Sequence, residues 1–236
     1  MNPESPSLLD WVEYYRQHST SSKNERVSDF YRHGVINPDT SIGQAPMVAM
    51  DFETTGLSSA DSEIVSIGLV PFDLRRIYCG ESRHWIVKPE QDMTEDSIVF
   101  HGITHSNVDA APPLANILDQ VLDAIEGKLV VVHYRYIERE FFNKAVLGLL
   151  QEPLLFPLID TMEIESDILK GRQGFFDKIL RKPLEPIRLD YCRRRYNLPH
   201  YDAHNALTDA IATAELLQAQ IAHHLNPDMP IKDLWA

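Results

Sequence analysis

The chain has 236 residues, 44% of them hydrophobic, with 22 Lys and Arg against 35 Asp and Glu, a formal net charge of -13. That length allows one substantial core and favours one domain with an appendage over two equal domains, while the acidic balance argues against holding a polyanion by overall charge. Two cysteines without a Cys-x-x-Cys pair, no secretory leader pattern and no apolar run near the roughly 20 residues of a membrane span point to a cytoplasmic protein with no membrane partner.

Residues 1 to 46 contain two short amphipathic pieces. Ser7 is the expected cap of a helix that places Leu8, Trp11, Val12 and Tyr15 on one face, and Val27, Phe30 and Tyr31 repeat that spacing after a polar connector, His18 to Asn24. Such an extension either docks another protein or packs on the chain's own domain, since exposed aromatic stripes are a liability.

From Met47 the pattern is α/β. Strands are expected at Val48 to Phe52, Ile64 to Val70 and around Trp85 to Val87, with a turn at Asp61 to Glu63 and Pro89 as a stop. Three strands in quick succession predict antiparallel pairing. A helix at Leu114 to Ile125, a strand at Leu129 to His133, a helix at Glu138 to Leu150, a strand near Leu158 to Asp160 and further helices then alternate, as in a sheet covered by helices. The expected division is an extension at 1–46, one domain at 47–223 and a tail at 224–236.

The first strand ends in Asp51-Phe52-Glu53-Thr54-Thr55-Gly56-Leu57. Strand residues two apart face the same side, so both carboxylates point one way and Phe52 the other, which makes half of a divalent-metal site. Glu138 follows the buried run Val130-Val131-Val132 near a helix start, where ligands of α/β sheets gather. His204 and Asp209 open the last long helix. Asp51, Glu53, Glu138 and Asp209 can hold two ions about 3.5 to 4 Å apart, and an imidazole with an ordinary pKa near 6.5 can take a proton from an attacking water. Five residues advance a helix by about 500°, leaving His204 and Asp209 about 140° apart, so His204 belongs in or before the first turn, with Asp202 the expected N-cap. Between Lys170 and Arg195 stand nine basic residues (Lys170, Arg172, Lys178, Arg181, Lys182, Arg188, Arg193, Arg194 and Arg195) against three acidic ones, either a phosphate-facing patch or a solvated face.

Asp51-Phe-Glu53-Thr-Thr-Gly-Leu, His133 with an acid five residues later, and His204-x-x-x-x-Asp209, together with Phe100 to Thr104 and Ile159-Asp160-Thr161, resemble the DEDDh 3′ to 5′ exonucleases. That family includes the epsilon proofreading subunit of bacterial DNA polymerase III and ribonuclease T. The resemblance covers about three-quarters of the chain, residues 47 to 223. It implies a ribonuclease H-like fold with a mixed sheet, two Mg²⁺ or Mn²⁺ ions, and release of nucleoside 5′-monophosphates from 3′ ends of single-stranded DNA, with RNA ends as the alternative. By the same resemblance Asp51 bridges both metals, Glu53 and Asp209 complete the first site, Glu138 holds the second directly or through water, and His204 is the base. Thr54, Thr55, Gly56 and Leu57 line the terminal nucleotide's place, and His101 joins them as a substrate contact. His101 and His105 have the spacing of a zinc pair but lack further ligands, so capping or packing is the better reading. His133, at a strand end, is read as structural.

One position departs from the family. The second carboxylate is usually Asp behind His-Asn-Ala, whereas here it is Glu138 behind His133-Tyr134-Arg135. The extra methylene moves the carboxylate by roughly 1.5 Å, enough to matter to octahedral Mg²⁺. Tyr134 and Tyr136 offer stacking surfaces for a base, and Arg135 or Arg139 a phosphate contact. The remaining alternative is a chain that has lost catalysis and keeps the fold as a nucleic-acid-binding or protein-docking module.

Overall fold

The computed structural model describes residues 9–90, 102–173, 185–202 and 204–235. Strands β1 (Met47–Thr54), β2 (Ile64–Phe72), β3 (Arg83–Ile86), β4 (Leu129–Val132) and β5 (Leu158–Asp160) form one sheet in the order β3-β2-β1-β4-β5. The first three pair antiparallel, and β4 and β5 join in parallel. The helices are α1 (Trp11–Ser21), α2 (Glu25–Arg32), α3 (His105–Asp109), α4 (Leu118–Ile125), α5 (Arg135–Leu150), α6 (Thr161–Arg172), α7 (Leu189–Arg195) and α8 (Ala206–His224).

Alternation along β1 decides which helices cover which face. Val48, Met50 and Phe52 join the core formed with α1, α2, α4 and α5. Met47 and Ala49 face the other way, onto Ala210, Ala214, Leu217 and Ile221 of α8. On that second face the side chains turn from apolar to acidic along the strand, so Asp51 and Glu53 emerge where α8 begins. Small residues on α8 let it lie close to the sheet, and Gly68 of β2 makes the approach closest. Gly68 is the register partner of Asp51. A Cβ there would stand 2.3 Å from the carbonyl carbon and oxygen of Ala206 and 2.4 Å from the nitrogen of Leu207.

The structure refines several expected elements. The N-cap of α1 is Asp10, whose carboxylate accepts from the N–H of Glu13; Ser7 and Leu8, the expected start, lie outside the described residues. Trp11 and Tyr15 are buried but Val12 is 46% exposed, since it points about 100° away from Trp11 around the helix. The helix runs through Ser21, so the expected connector His18 to Asn24 is shortened to Ser22, Lys23 and Asn24. Leu114 to Ile125 is broken at Ile117 into a 3₁₀ turn and α4. The helix expected from Glu138 starts three residues earlier, at Arg135.

The aromatic stripe of the extension is spent on the chain's own core. Val27, Phe30 and Tyr31 are buried, and the Tyr31 hydroxyl donates to the Leu155 carbonyl at 3.2 Å. The Arg26 guanidinium meets Asp119, Asp123 and Glu126 at 3.1, 2.7 and 2.5 Å. Residues after α8 also fold back: Ile231 is buried, and its N–H donates to the Thr40 carbonyl at 2.9 Å. Among the described residues no helix is long and apolar enough to cross a membrane.

Candidate active site

Three elements bring four carboxylates to the end of β1. Asp51 and Glu53 arrive from the strand, Asp209 from the first turn of α8 and Glu138 from the first turn of α5. Ligand oxygens of Asp51, Glu53 and Asp209 all lie within 4.8 Å of one another. Glu138 stands outside that cluster, yet after burial its charge is the largest influence raising the Asp51 pKa.

Burial pushes all four carboxyls above their ordinary range, and repulsion from neighbouring carboxylates adds to it for Asp51, Glu53 and Glu138. For Asp51 burial comes first, then the charges of Glu138, Asp209 and Glu53. Glu53 is pushed up to about 8 by burial and by Asp209. Glu138 is raised by burial and by Asp160 and Glu53, and Asp209 chiefly by burial. Glu138 is 2% exposed, and its Oε2 has no hydrogen-bond partner. Hard oxygen donors crowded together, with an orphaned buried oxygen among them, fit divalent cations.

His204 precedes α8 with φ +72°, outside the helix as the 140° argument requires, and its N–H donates to Asp209 Oδ2 at 2.8 Å. The N-cap is Asn205, which accepts from the N–H of Thr208, and not Asp202. The expected cap lies too far upstream because a left-handed residue separates it from the helix. Asp51, His204 and Asp209 share a cavity of about 450 Å³ with Arg188, Tyr191 and Tyr201. That volume is in the range of small-ligand pockets.

The β1–β2 connection is held by its own hydrogen bonds. Thr54 Oγ1 donates to the Gly56 carbonyl, and the Thr55 hydroxyl accepts from the N–H of Glu63. Leu57, at 88% exposure, projects into solvent. Tyr134 is exposed at the N-cap of α5. His101 lies outside the described residues, and His105 opens α3 behind the cap Thr104.

His133 packs as a structural residue. Its Nε2 is 3.0 Å from the Ile187 carbonyl, which can only accept, so that nitrogen carries the proton. Its Nδ1 lies 2.8 Å from Thr161 Oγ1, and burial holds its pKa down at about 4.

The basic stretch is largely committed. Arg193 is buried, donating to the carbonyls of Ala212 and Pro199 and to Glu215. These bonds tie it to the loop that leads to His204, at the wall of the cavity. Arg195 pairs with Glu165, Arg194 with Asp190 and Lys170 with Asp167; Lys178, Arg181 and Lys182 lie outside the described residues.

Two supporting roles were not read from the sequence, that of Asp160, which stood there only as part of a matching motif, and that of Gly68. Asp160 accepts from the N–H groups of Tyr134, Arg135 and Met162, fixing the starts of α5 and α6; an Asp between a strand and a helix was the available signal. Gly68 was signalled by a glycine inside an apolar strand, which marks a close backbone approach.

The exonuclease family model matches residues 48–217. The chain is 28% identical over 184 residues to a PolC-type DNA polymerase III of Thermotoga maritima, covering 77% of this chain and 12% of that protein. It is 27% identical over 176 residues to the DNA polymerase III epsilon subunit of Treponema pallidum, covering 75% of this chain and 76% of that one. The chain thus spans about an eighth of the PolC-type relative and three-quarters of the epsilon subunit. In fold it is similar to the crystallographic nuclease domain of 3′hExo, a DEDDh family member bound to rAMP, with a TM-score of 0.61 at 16% identity over 77% of this chain and 94% of that one.

Proposed function

The chain belongs to the exonuclease family and is a hydrolytic nuclease, and from that premise we propose that residues 47–223 remove nucleotides stepwise from the 3′ end of single-stranded DNA. The observation that carries this reading is the convergence of Asp51, Glu53 and Asp209 within 4.8 Å beside the buried, orphaned Glu138. Asp51, Glu53 and Asp209 would hold one divalent cation, and Asp51 with Glu138 would hold a second, Mg²⁺ or Mn²⁺ in each case. Such ions, when bound, supply Lewis-acid stabilisation of the charge that builds on a phosphodiester under attack.

The chain's own residues do the rest. The imidazole of His204, at the cavity, takes a proton from the attacking water. The new P–O bond forms as the bond to the 3′ oxygen of the penultimate nucleotide breaks, releasing a nucleoside 5′-monophosphate. Asp209 fixes where His204 stands by accepting its backbone N–H. Thr54, Thr55, Gly56 and Leu57 supply the rim for the terminal nucleotide. Both cysteines are unpaired, which suits the cytoplasmic setting we assign. RNA ends are the second reading, favoured by the rAMP named with the 3′hExo domain.

Digestion of 3′- and 5′-labelled DNA oligomers with a matched RNA, in Mg²⁺, Mn²⁺ or EDTA, tests the reading. Stepwise, metal-dependent loss from the 3′ end is expected, and the DNA to RNA ratio decides the substrate. Absence of cleavage by the folded protein in every metal overturns it. Glu138→Ala should lower the rate at least about tenfold; a rate within about threefold of wild type, under 1 kcal/mol, removes Glu138 from the metal set.

A further inference from the structure

Tyr134 occupies an unusual place. It is the N-cap of α5, with φ 83° and ψ 70°. A left-handed conformation is uncommon outside Gly, Asn and Asp, and is a genuine outlier for a bulky side chain. Among the described residues the other non-glycine positions with positive φ are Gln151, Asn197 and His204, all polar. Packing does not explain Tyr134 either, because the residue is 43% exposed, and Tyr136 beside it is 52% exposed.

The two rings are nevertheless built into the molecule. Their centroids lie 5.4 Å apart at 53°. The Arg135 guanidinium sits over Tyr136, 5.1 Å from its centroid. Arg135 is itself anchored by Glu163 and, at 3.8 Å, by Asp160. The N–H of Tyr134 is held by Asp160 Oδ1 at 3.0 Å. The backbone that forces the outlier is therefore fixed from below, while the aromatic surface above is left to solvent. Glu138, one of the four carboxylates at the end of β1, follows one turn later on α5.

Resting on the nuclease reading above, we propose that Tyr134 and Tyr136 form a stacking platform for an unpaired nucleobase of the strand whose end enters the carboxylate cluster. Two aromatic faces braced by a neutralised guanidinium suit a flat, uncharged ring better than a phosphate. Stacking of this kind is tolerant of base identity and is lost when the aromatic ring is removed. Asp160 links the platform to the chemistry, since the carboxylate that holds Tyr134 also acts on the charge of Glu138.

The test is equilibrium binding of single-stranded DNA carrying 2-aminopurine near its 3′ end, in an Asp51→Asn background that blocks turnover, with Tyr134→Asn, Tyr134→Phe and Tyr136→Ala added singly. Tyr134→Asn tolerates the left-handed backbone, so the unfolding midpoint should stay or rise while affinity falls by about fivefold to about a hundredfold. Fluorescence quenching should fall with it. Tyr134→Phe keeps the ring and should bind as the parent does, and Tyr136→Ala should weaken binding in the same sense as Tyr134→Asn. Unchanged affinity in Tyr134→Asn, or an equal loss in Tyr134→Phe, overturns the platform. If the wild-type chain digests 3′ ends while Tyr134→Asn binds normally, only the platform fails. If the wild-type chain neither digests nor binds the oligomer, the nuclease reading fails and the platform with it.

Discussion

Glu165 and Glu138 are buried almost equally, at 1% and 2% exposure, but their surroundings are opposite. Glu165 accepts from Arg195 Nε at 2.8 Å, from the Tyr196 hydroxyl at 2.9 Å and from Gln220 Nε2 at 2.9 Å. Glu138 faces the other carboxylates with one oxygen unpartnered. Burial of a charge is tolerated when donors compensate it and costs stability when they do not. The first group fastens α6, α7 and α8 to one another. The second is an electrostatic deficit that only cations or protons relieve, and the fold carries it at the end of β1.

The sharpest way to break that contrast is to neutralise one carboxylate in each group. Asp51→Asn should lower cleavage by about a thousandfold or more, as several kcal/mol of transition-state stabilisation are lost. In EDTA the same variant should be as stable as wild type or more so, because a repelling charge has gone. Glu165→Gln should show the reverse, a loss of about 3 kcal/mol in denaturant unfolding, as Arg195 is left without its buried partner, with cleavage by the surviving folded protein much less affected. A stabilised Glu165→Gln, or an Asp51→Asn destabilised by a similar amount, would erase the distinction between the two groups.

A second test moves the deficit without touching a carboxylate. Gly68→Ala introduces a Cβ that meets the backbone of Ala206 and Leu207 at 2.3 to 2.4 Å, which no side-chain rotation can relieve. The start of α8 must shift, and it carries His204 and Asp209 away from Asp51 opposite. We expect a fall in cleavage of about a hundredfold, since misplacement by about 1 Å costs that much. The accompanying stability loss should be about 1 to 3 kcal/mol, as for overpacking elsewhere. Metal affinity by calorimetry separates the two effects: weakened binding places the damage at the carboxylates, and unchanged binding confines it to packing.

These variants also mark what the residues revealed in advance. Strand alternation gave Asp51 and Glu53 their common direction, and the helical angle required His204 to lie before α8; both rest on local periodicity, which the chain itself encodes. Asn205 as the cap and the break at Ile117 are set by local backbone geometry that periodicity does not report, and the commitment of Arg193 to Glu215 depends on a partner 22 residues away. Gly68 lies between these cases. A glycine amid Ile64 to Phe72 signals that something approaches closely, but only the packed structure shows that it is the start of the helix bearing Asp209.

The smallest effect follows from the protons the deficit retains. Glu53 has its pKa pushed up to about 8 from an ordinary 4.5, and Asp51, Glu138 and Asp209 are shifted in the same direction. Between those values the folded chain holds a proton on Glu53 that the unfolded chain has released. Stability in EDTA must therefore fall as pH rises from about 4.5 toward 8, the opposite of a carboxylate stabilised by a salt bridge. Mg²⁺ or Mn²⁺ should raise the unfolding midpoint by a few degrees near pH 8 and by less near pH 5.5, where protons compete for the same oxygens. Glu53→Gln provides the control, because the acidic chain as a whole also repels itself at high pH. If the slope belongs to the site, Glu53→Gln flattens it; if the variant keeps the wild-type slope, net charge is the cause and the carboxylate cluster is not the source of the strain.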